Sequence, residues 1–161
     1  MSSLVRMSFQ SLLVLMLFPS FSYAQDKPLE EERTFDDWFV TCSSGQTCRM
    51  VQTVIQPSTG RLILQVKIIA GETTTALFTF PLGVLLSTGW SYDIDGRRQR
   101  ILPFEVCNTD GCHAGLKLSM RELDALKRGN HLNLRFHDAA ATEVPVQVSL
   151  AGFTNAFNAL K

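Results

Sequence analysis

The sequence has 161 residues, with 15 basic and 15 acidic side chains balancing to a formal charge of zero. A near-neutral chain gives no electrostatic case for nucleic acid, whose affinity rests on neutralising phosphates. Without its first 24 residues the chain keeps 137, enough for one domain that buries roughly two-thirds of its unfolded surface.

Residues 1–24 carry Arg6 and no acid, then the apolar run Leu12 to Phe18 and the small-residue pattern Ser22-Tyr23-Ala24. This is the pattern of a secretory signal cleaved after Ala24. Its apolar core is far short of the ~20 residues of a spanning helix, so no membrane span is expected once the signal is removed. An uncleaved anchor is the alternative. Residues 25–34 form an acidic leader around Glu30-Glu31-Glu32, with too little apolar surface to order itself. The folded domain is expected over 35–161.

Phe35 to Cys42 reads as a strand, with Trp38 and Val40 on one face and Phe39 and Thr41 on the other. From Cys48 a second strand sets Met50 and Val54 against Val51 and Ile55. Pro57-Ser58-Thr59-Gly60 is a turn. Leu62, Leu64, Val66 and Ile68 then alternate with Arg61, Gln65 and Lys67, the pattern of a strand with one wet face. Ala76 to Phe80 is another strand, and Pro81-Leu82-Gly83-Val84 opens an apolar loop expected to plug one end of the fold. Trp90 to Ile94 ends in Asp95-Gly96, a strong hairpin signal.

Arg97, Arg98 and Arg100 follow that turn. They are the candidate contact for an anionic partner, because guanidinium forks suit carboxylate and phosphate. A charged edge that resists strand pairing is the bland alternative. The return strand is expected from Gln99 to Cys107, passing through the corner Cys107-Asn108-Thr109-Asp110-Gly111-Cys112 into Ala114 to Leu118.

Ser119-Met120-Arg121-Glu122 is a capping box for a helix that Gly129 ends in the left-handed manner, with Lys127 and Arg128 suiting its negative end. His131 to His137 and Val144 to Leu150 alternate again. In the tail, Phe153, Ala156, Phe157 and Leu160 have helical spacing, and a helix folded back on the sheet is expected over one lying on a membrane surface. Many short strands with two short helices give an all-β class, an antiparallel sandwich.

Four cysteines allow three pairings. The chain-entropy model gives roughly 2 kcal/mol for each short loop and over 4 for a link spanning about 70 residues, so stability alone favours long-range bonds. Proximity, with Gly45 and Gly111 easing the turns, favours two local disulfides, Cys42–Cys48 and Cys107–Cys112. Neither pair has redox-motif spacing. Four thiolates could hold zinc on count, but export and the wide spacing speak against it.

No catalytic constellation emerges. His131 and His137 lie some 20 Å apart on one strand face at ~3.3 Å per residue, and a disulfide removes Cys112, beside His113, as a nucleophile. There is no serine elbow or phosphate loop. Asp93 and Asp95 alternate as a carboxylate pair would, but the turn accounts for Asp95. No catalytic residue, cofactor or metal site is therefore assigned.

Trp38-x-x-x-Cys42, Cys48, Pro81-Leu82-Gly83, Pro103-Phe104-x-x-Cys107-x-x-x-Gly111-Cys112-x-Ala114 and Leu150-x-Gly152-Phe153-x-x-Ala156, in that order and spacing, resemble the invasion-associated locus B family over residues 35–160. The resemblance implies an exported, immunoglobulin-like sandwich of the bacterial envelope, with founding members linked to entry into host red cells. It supplies no catalytic residues. The expected function is a non-catalytic interaction module in the periplasm or envelope, secreted or surface-associated, that binds a protein or envelope component. A stress-related structural protein and a hydrolase are the alternatives.

Overall fold

The computed structural model describes residues 31–43 and 48–160, apart from the side chains of Glu31 and Arg98. The expected signal 1–24 with its cleavage after Ala24, residues 25–30 of the leader, and Gly45 lie outside the described residues.

Strands β1 (Glu31–Phe35), β2 (Trp38–Cys42), β3 (Cys48–Ile55), β4 (Leu62–Ile69) and β5 (Thr75–Phe80) form an antiparallel meander. The chain then crosses to a second sheet for the hairpin β6 (Trp90–Ile94) and β7 (Arg97–Leu102). It returns to the first for β8 (Val106–Asn108) and β9 (Gly111–Lys117), with β9 pairing to β5. Helix α1 (Met120–Arg128) leads to β10 (His131–His137) and β11 (Glu143–Ser149), and α2 (Phe153–Asn158) follows. The sheet orders are β1-β2-β3-β4-β5-β9-β8 and β11-β10-β6-β7. The expected all-β antiparallel sandwich with two short helices is the fold observed.

The alternation read from the sequence decides which faces meet. Trp38, Val40, Met50, Leu64, Val66, Ile68, Phe78 and Phe80 are buried from one sheet; Trp90, Tyr92, Leu134, Phe136 and Val148 answer from the other. Trp90 lies 4.6 Å from Phe78 and 5.4 Å from Phe80, centroid to centroid, and Phe80 meets Phe136 edge-on at 5.3 Å. Fully burying each such ring is worth roughly 1.5–3 kcal/mol. Phe153 of α2 stands edge-on to Trp38 at 5.2 Å, so the tail helix folds back on the sheet as expected.

One polar device joins the two sheets. Gln52, on the core face of β3, accepts from the Ser149 amide and donates to the Ser149 carbonyl, both at 3.0 Å. Trp38 Nε1 donates to the same carbonyl at 3.1 Å. A buried amide with these partners contributes stability, where an unpaired one would cost.

Both disulfides are the local ones, Cys42–Cys48 and Cys107–Cys112, and each joins residues directly opposite in a ladder. They lie within one sheet and leave no free cysteine among the described residues.

Four expectations are corrected. Residues 31–34, read as leader, belong to β1, because a backbone ladder needs no apolar face and Arg33 also donates to the Ala159 carbonyl at 3.1 Å. The return strand breaks at Pro103–Glu105 and changes sheets; Pro103 has no N–H, and its carbonyl accepts from Trp90 Nε1 at 3.1 Å. The loop after Phe80 plugs the fold through Val84 alone, leaving Leu82 and Leu86 exposed. Gly129 is extended, at φ −78°, not left-handed. It is small because a Cβ there would sit 2.7 Å from Ile94 Cγ2 and 2.9 Å from Leu150 Cδ1.

Two glycine substitutions separate backbone strain from steric conflict. Both Gly96 and Gly152 have positive φ, but a Cβ at Gly96 meets nothing within 4 Å, whereas at Gly152 it would lie 2.1 Å from the Phe35 carbonyl oxygen. Gly96→Ala should cost about 1 kcal/mol, and Gly152→Ala more than ~2, read from urea midpoints. A chain starting at Thr34 should also melt well below one starting at Glu31, because it loses the Glu31, Glu32 and Arg33 pairings.

Candidate functional site

The hairpin β6–β7 is regular from Trp90 opposite Leu102 to Tyr92 opposite Arg100, and then its register shifts so that Ile94 faces Arg97. Cross-strand partners share a face, and Tyr92 and Ile94 share one by period two. The bulge therefore brings Arg97 and Arg100 to the same side of β7, where a spacing of three would otherwise separate them. That side looks onto α1.

Between β7 and α1 runs an open groove of about 1130 Å³. Arg97 and Arg100 line one wall, and Arg121, Ala125 and Arg128 the other, with Tyr92, Ile94 and Gly129 between them. Arg121 and Arg128 are seven apart, two helical turns, and so present one face.

The carboxylate of Glu122 holds the groove's two walls together. It completes the capping box, accepting from the Ser119 amide at 2.9 Å and hydroxyl at 2.7 Å. Its other oxygen accepts from Tyr92 Oη at 2.7 Å and Arg100 Nη1 at 2.5 Å. Arg100 also lies over the Tyr92 ring, 6.0 Å from its centroid. Burial alone would raise the Glu122 pKa, but the hydrogen bonds from Ser119, Tyr92 and Arg100 outweigh it and hold the carboxyl at about 2. Burial, followed by the neighbouring Glu122 carboxylate, pushes the Tyr92 phenol up to about 12.

The three predicted arginines thus divide. Arg100 is tied to the scaffold, Arg97 is exposed on the groove wall, and the side chain of Arg98 lies outside the described residues. Asp95 is also engaged, accepting from the amides of Asn130 and His131 at 3.0 and 2.9 Å. Those amides hold its carboxyl below the usual range. Asp124 is left against Arg97, Arg121 and Arg128, three exposed cations that make no hydrogen bond or ion pair among the described residues. The sequence reading missed Arg121, and took Arg128 only as a dipole partner; their spacing of seven on a helix was the signal available.

The other titratable candidates do not converge. Asp93 accepts from Gly96 N, Asn133 and Arg135 at 2.6, 2.8 and 2.9 Å on the outer face of the second sheet. Burial opposes its ionisation, but the Asn133, Arg135 and Gly96 bonds and the Arg135 charge hold its carboxyl below the usual range. His113 sits between Thr79 Oγ1 and Asn108 Oδ1, each at 3.1 Å, tying β5, β9 and β8 together. His131 and His137 lie at opposite ends of β10. Among the described residues no group of His, Cys, Asp and Glu is arranged to hold a metal, and no helix is long and apolar enough to cross a membrane.

A second exposed surface lies on the outside of the larger sheet. Phe39 (45% exposed), Val51, Lys67 and Leu77 (37% exposed) face one another in a row across β2 to β5.

The Glu122 clamp predicts a pH signature. Its carboxyl falls from an ordinary 4.5 to about 2 on folding, so its contribution is complete above about 4.5 and lost as pH falls toward 2. The Arg100 side chain is 48% exposed, so screening limits the ion pair to about 1 kcal/mol. Glu122→Gln should lower the urea midpoint at pH 7, and the gap to wild type should close between pH 4.5 and 2. A gap that stays constant would show that the charge contributes nothing.

Comparison with known proteins agrees with this fold. The family model for the invasion associated locus B (IalB) protein matches residues 38–161. Two invasion protein B homologs of Brucella abortus, from strain 2308 and from biovar 1 strain 9-941, are each 28% identical over 136 residues, spanning 81% of this chain and 79% of theirs. The crystal structure of invasion associated protein B from Bartonella henselae superposes with a TM-score of 0.72 over 81% of this chain and 95% of that one, at 24% identity, a likeness of fold. The sandwich, its two disulfides and the family match over nearly all of the described domain place this chain in the invasion associated locus B family.

Proposed function

We propose that the chain is an exported envelope protein that acts by binding, with the arginine groove as its contact surface, and not by catalysis. The observation that carries this reading is how the groove spends its charges. Asp95 and Glu122 are committed to backbone amides, Tyr92 and Arg100, while Arg97, Arg121 and Arg128 are exposed and make no hydrogen bond or salt bridge among the described residues, Arg97 acting on Asp95 only through its charge. Exposed guanidinium groups with no hydrogen-bonded acceptor suit an anionic surface or an acidic protein.

Two features support export. The first 24 residues have the layout of a secretory signal, and both disulfides belong to an oxidising compartment. Binding is supported by the scaffold roles of Asp93, Asp95 and Glu122, whose carboxylates are taken up by hydrogen bonds that hold strands and helix together. The relatives are named for invasion, and we carry that to this chain as the proposed setting: contact between the bacterial envelope and a partner, including a host surface.

The test is co-sedimentation of the domain with envelope vesicles, comparing wild type with an Arg97→Ser/Arg121→Ser/Arg128→Ser variant. Association at ~0.01 M salt, where charges act over a screening length of ~30 Å, should fall several-fold in the variant. Each exposed substitution should shift folding stability by no more than about 0.5 kcal/mol. Equal association would overturn the groove's role. Equal capture of any unfolded protein would instead mark a stress-related holdase.

A further inference from the structure

The sandwich has four edge strands, and three of them are covered or interrupted. α2 packs against β1, and Arg33 of β1 reaches across to the Ala159 carbonyl. β8 is three residues long and closed by a disulfide. β11 carries Pro145 in mid-strand, without an N–H, and its end is taken by Gln52. The fourth, β7, is six residues long and contains no proline. It ends the order of its sheet, with β6 its one partner strand among the described residues. An edge of this kind is a template for a further strand.

The same strand borders the arginine groove. Its regular part, Arg100–Leu102, precedes Pro103, and its bulge turns Arg97 toward α1. Along β7 the two faces differ: Arg100 faces the groove, whereas Ile101 faces outward and is 72% exposed. A second copy of β7 is a poor occupant, since it would set arginine against arginine.

Resting on the binding role proposed above, we infer that the partner presents an extended segment of alternating acidic and β-branched or apolar residues, which adds as a strand to the free edge of β7. Residues of such a strand repeat on one face every ~6.6–6.8 Å. Its acidic face lies toward Arg97, Arg121 and Arg128, the last two ~10.5 Å apart along the helix axis, and its apolar face lies beside Ile101. Main-chain hydrogen bonds supply affinity, and the arginine walls supply selectivity for acidic sequences.

The probe is a labelled peptide of about ten residues alternating Glu and Thr, with two further versions N-methylated at every second residue, one on the odd positions and one on the even. In a strand, successive N–H groups point to opposite sides. The unmodified peptide should bind, one methylated version should lose about tenfold or more in affinity, and the other should bind within about twofold of the parent. The Arg97→Ser/Arg121→Ser/Arg128→Ser variant should bind all three weakly.

If both methylated peptides bind as the parent does, strand addition is overturned while the groove remains an anion-binding surface. If the peptides fail but phosphatidylglycerol vesicles bind in an Arg97-dependent way, the partner is a lipid surface and the inference falls alone. If neither peptide, vesicle nor envelope association responds to the three arginines, the inference and the proposed function fall together.

Discussion

A single carboxylate, that of Glu122, fixes how helix and sheet meet on the side of the molecule that we assign to binding. Its two oxygens receive four donors: the Ser119 amide and hydroxyl, the Tyr92 hydroxyl and the Arg100 guanidinium. The first two start α1, and the other two anchor that start to β6 and β7. Charge-assisted bonds of this kind are stronger than neutral ones, and their geometry sets where Arg121 and Arg128 stand relative to Arg97. Arg100 belongs to the frame of the groove, and Arg97, Arg121 and Arg128 to the contact surface we propose.

That clamp works because the sandwich behind it is rigid. The chain passes between the sheets three times, after β5, β7 and β9, so that β9 pairs with β5 and β6 with β10, and aromatic rings of both sheets meet in the shared core. Gln52 and Trp38, both on Ser149, pin the far edge of the smaller sheet to the larger one. The disulfides close two hairpins of the larger sheet, on the layer away from β7. The groove is thus carried by the smaller sheet and α1, where α1 is held by packing at Leu123 and Leu126 and by the Glu122 carboxylate.

What the sequence made legible was local. Period-two runs such as Leu64-Val66-Ile68, the capping box at Ser119 and Glu122, the Asp95-Gly96 turn and the two close cysteine pairs all depend on residues within one or two turns of each other. The misses were non-local or carried no side-chain signature. β1 is polar and exists through its ladder with β2. The β7 bulge has no glycine to announce it, and without it Arg97 and Arg100 read as facing opposite ways. Gln52 carries no local signal, because its partner Ser149 lies 97 residues away in the sequence. The groove needed β7 and α1 together, so only half of it, the arginines after the turn, could be named in advance.

The central claim is that binding takes place at the β7–α1 groove, and hydrogen exchange of the domain, free and bound to envelope vesicles, tests it most directly. Binding at this groove predicts protection gained at Arg97–Leu102 and along Arg121–Arg128, with β2 to β5 unchanged. Protection centred on Phe39, Val51 and Leu77, on the outer face of the larger sheet, with none gained at β7, would contradict it.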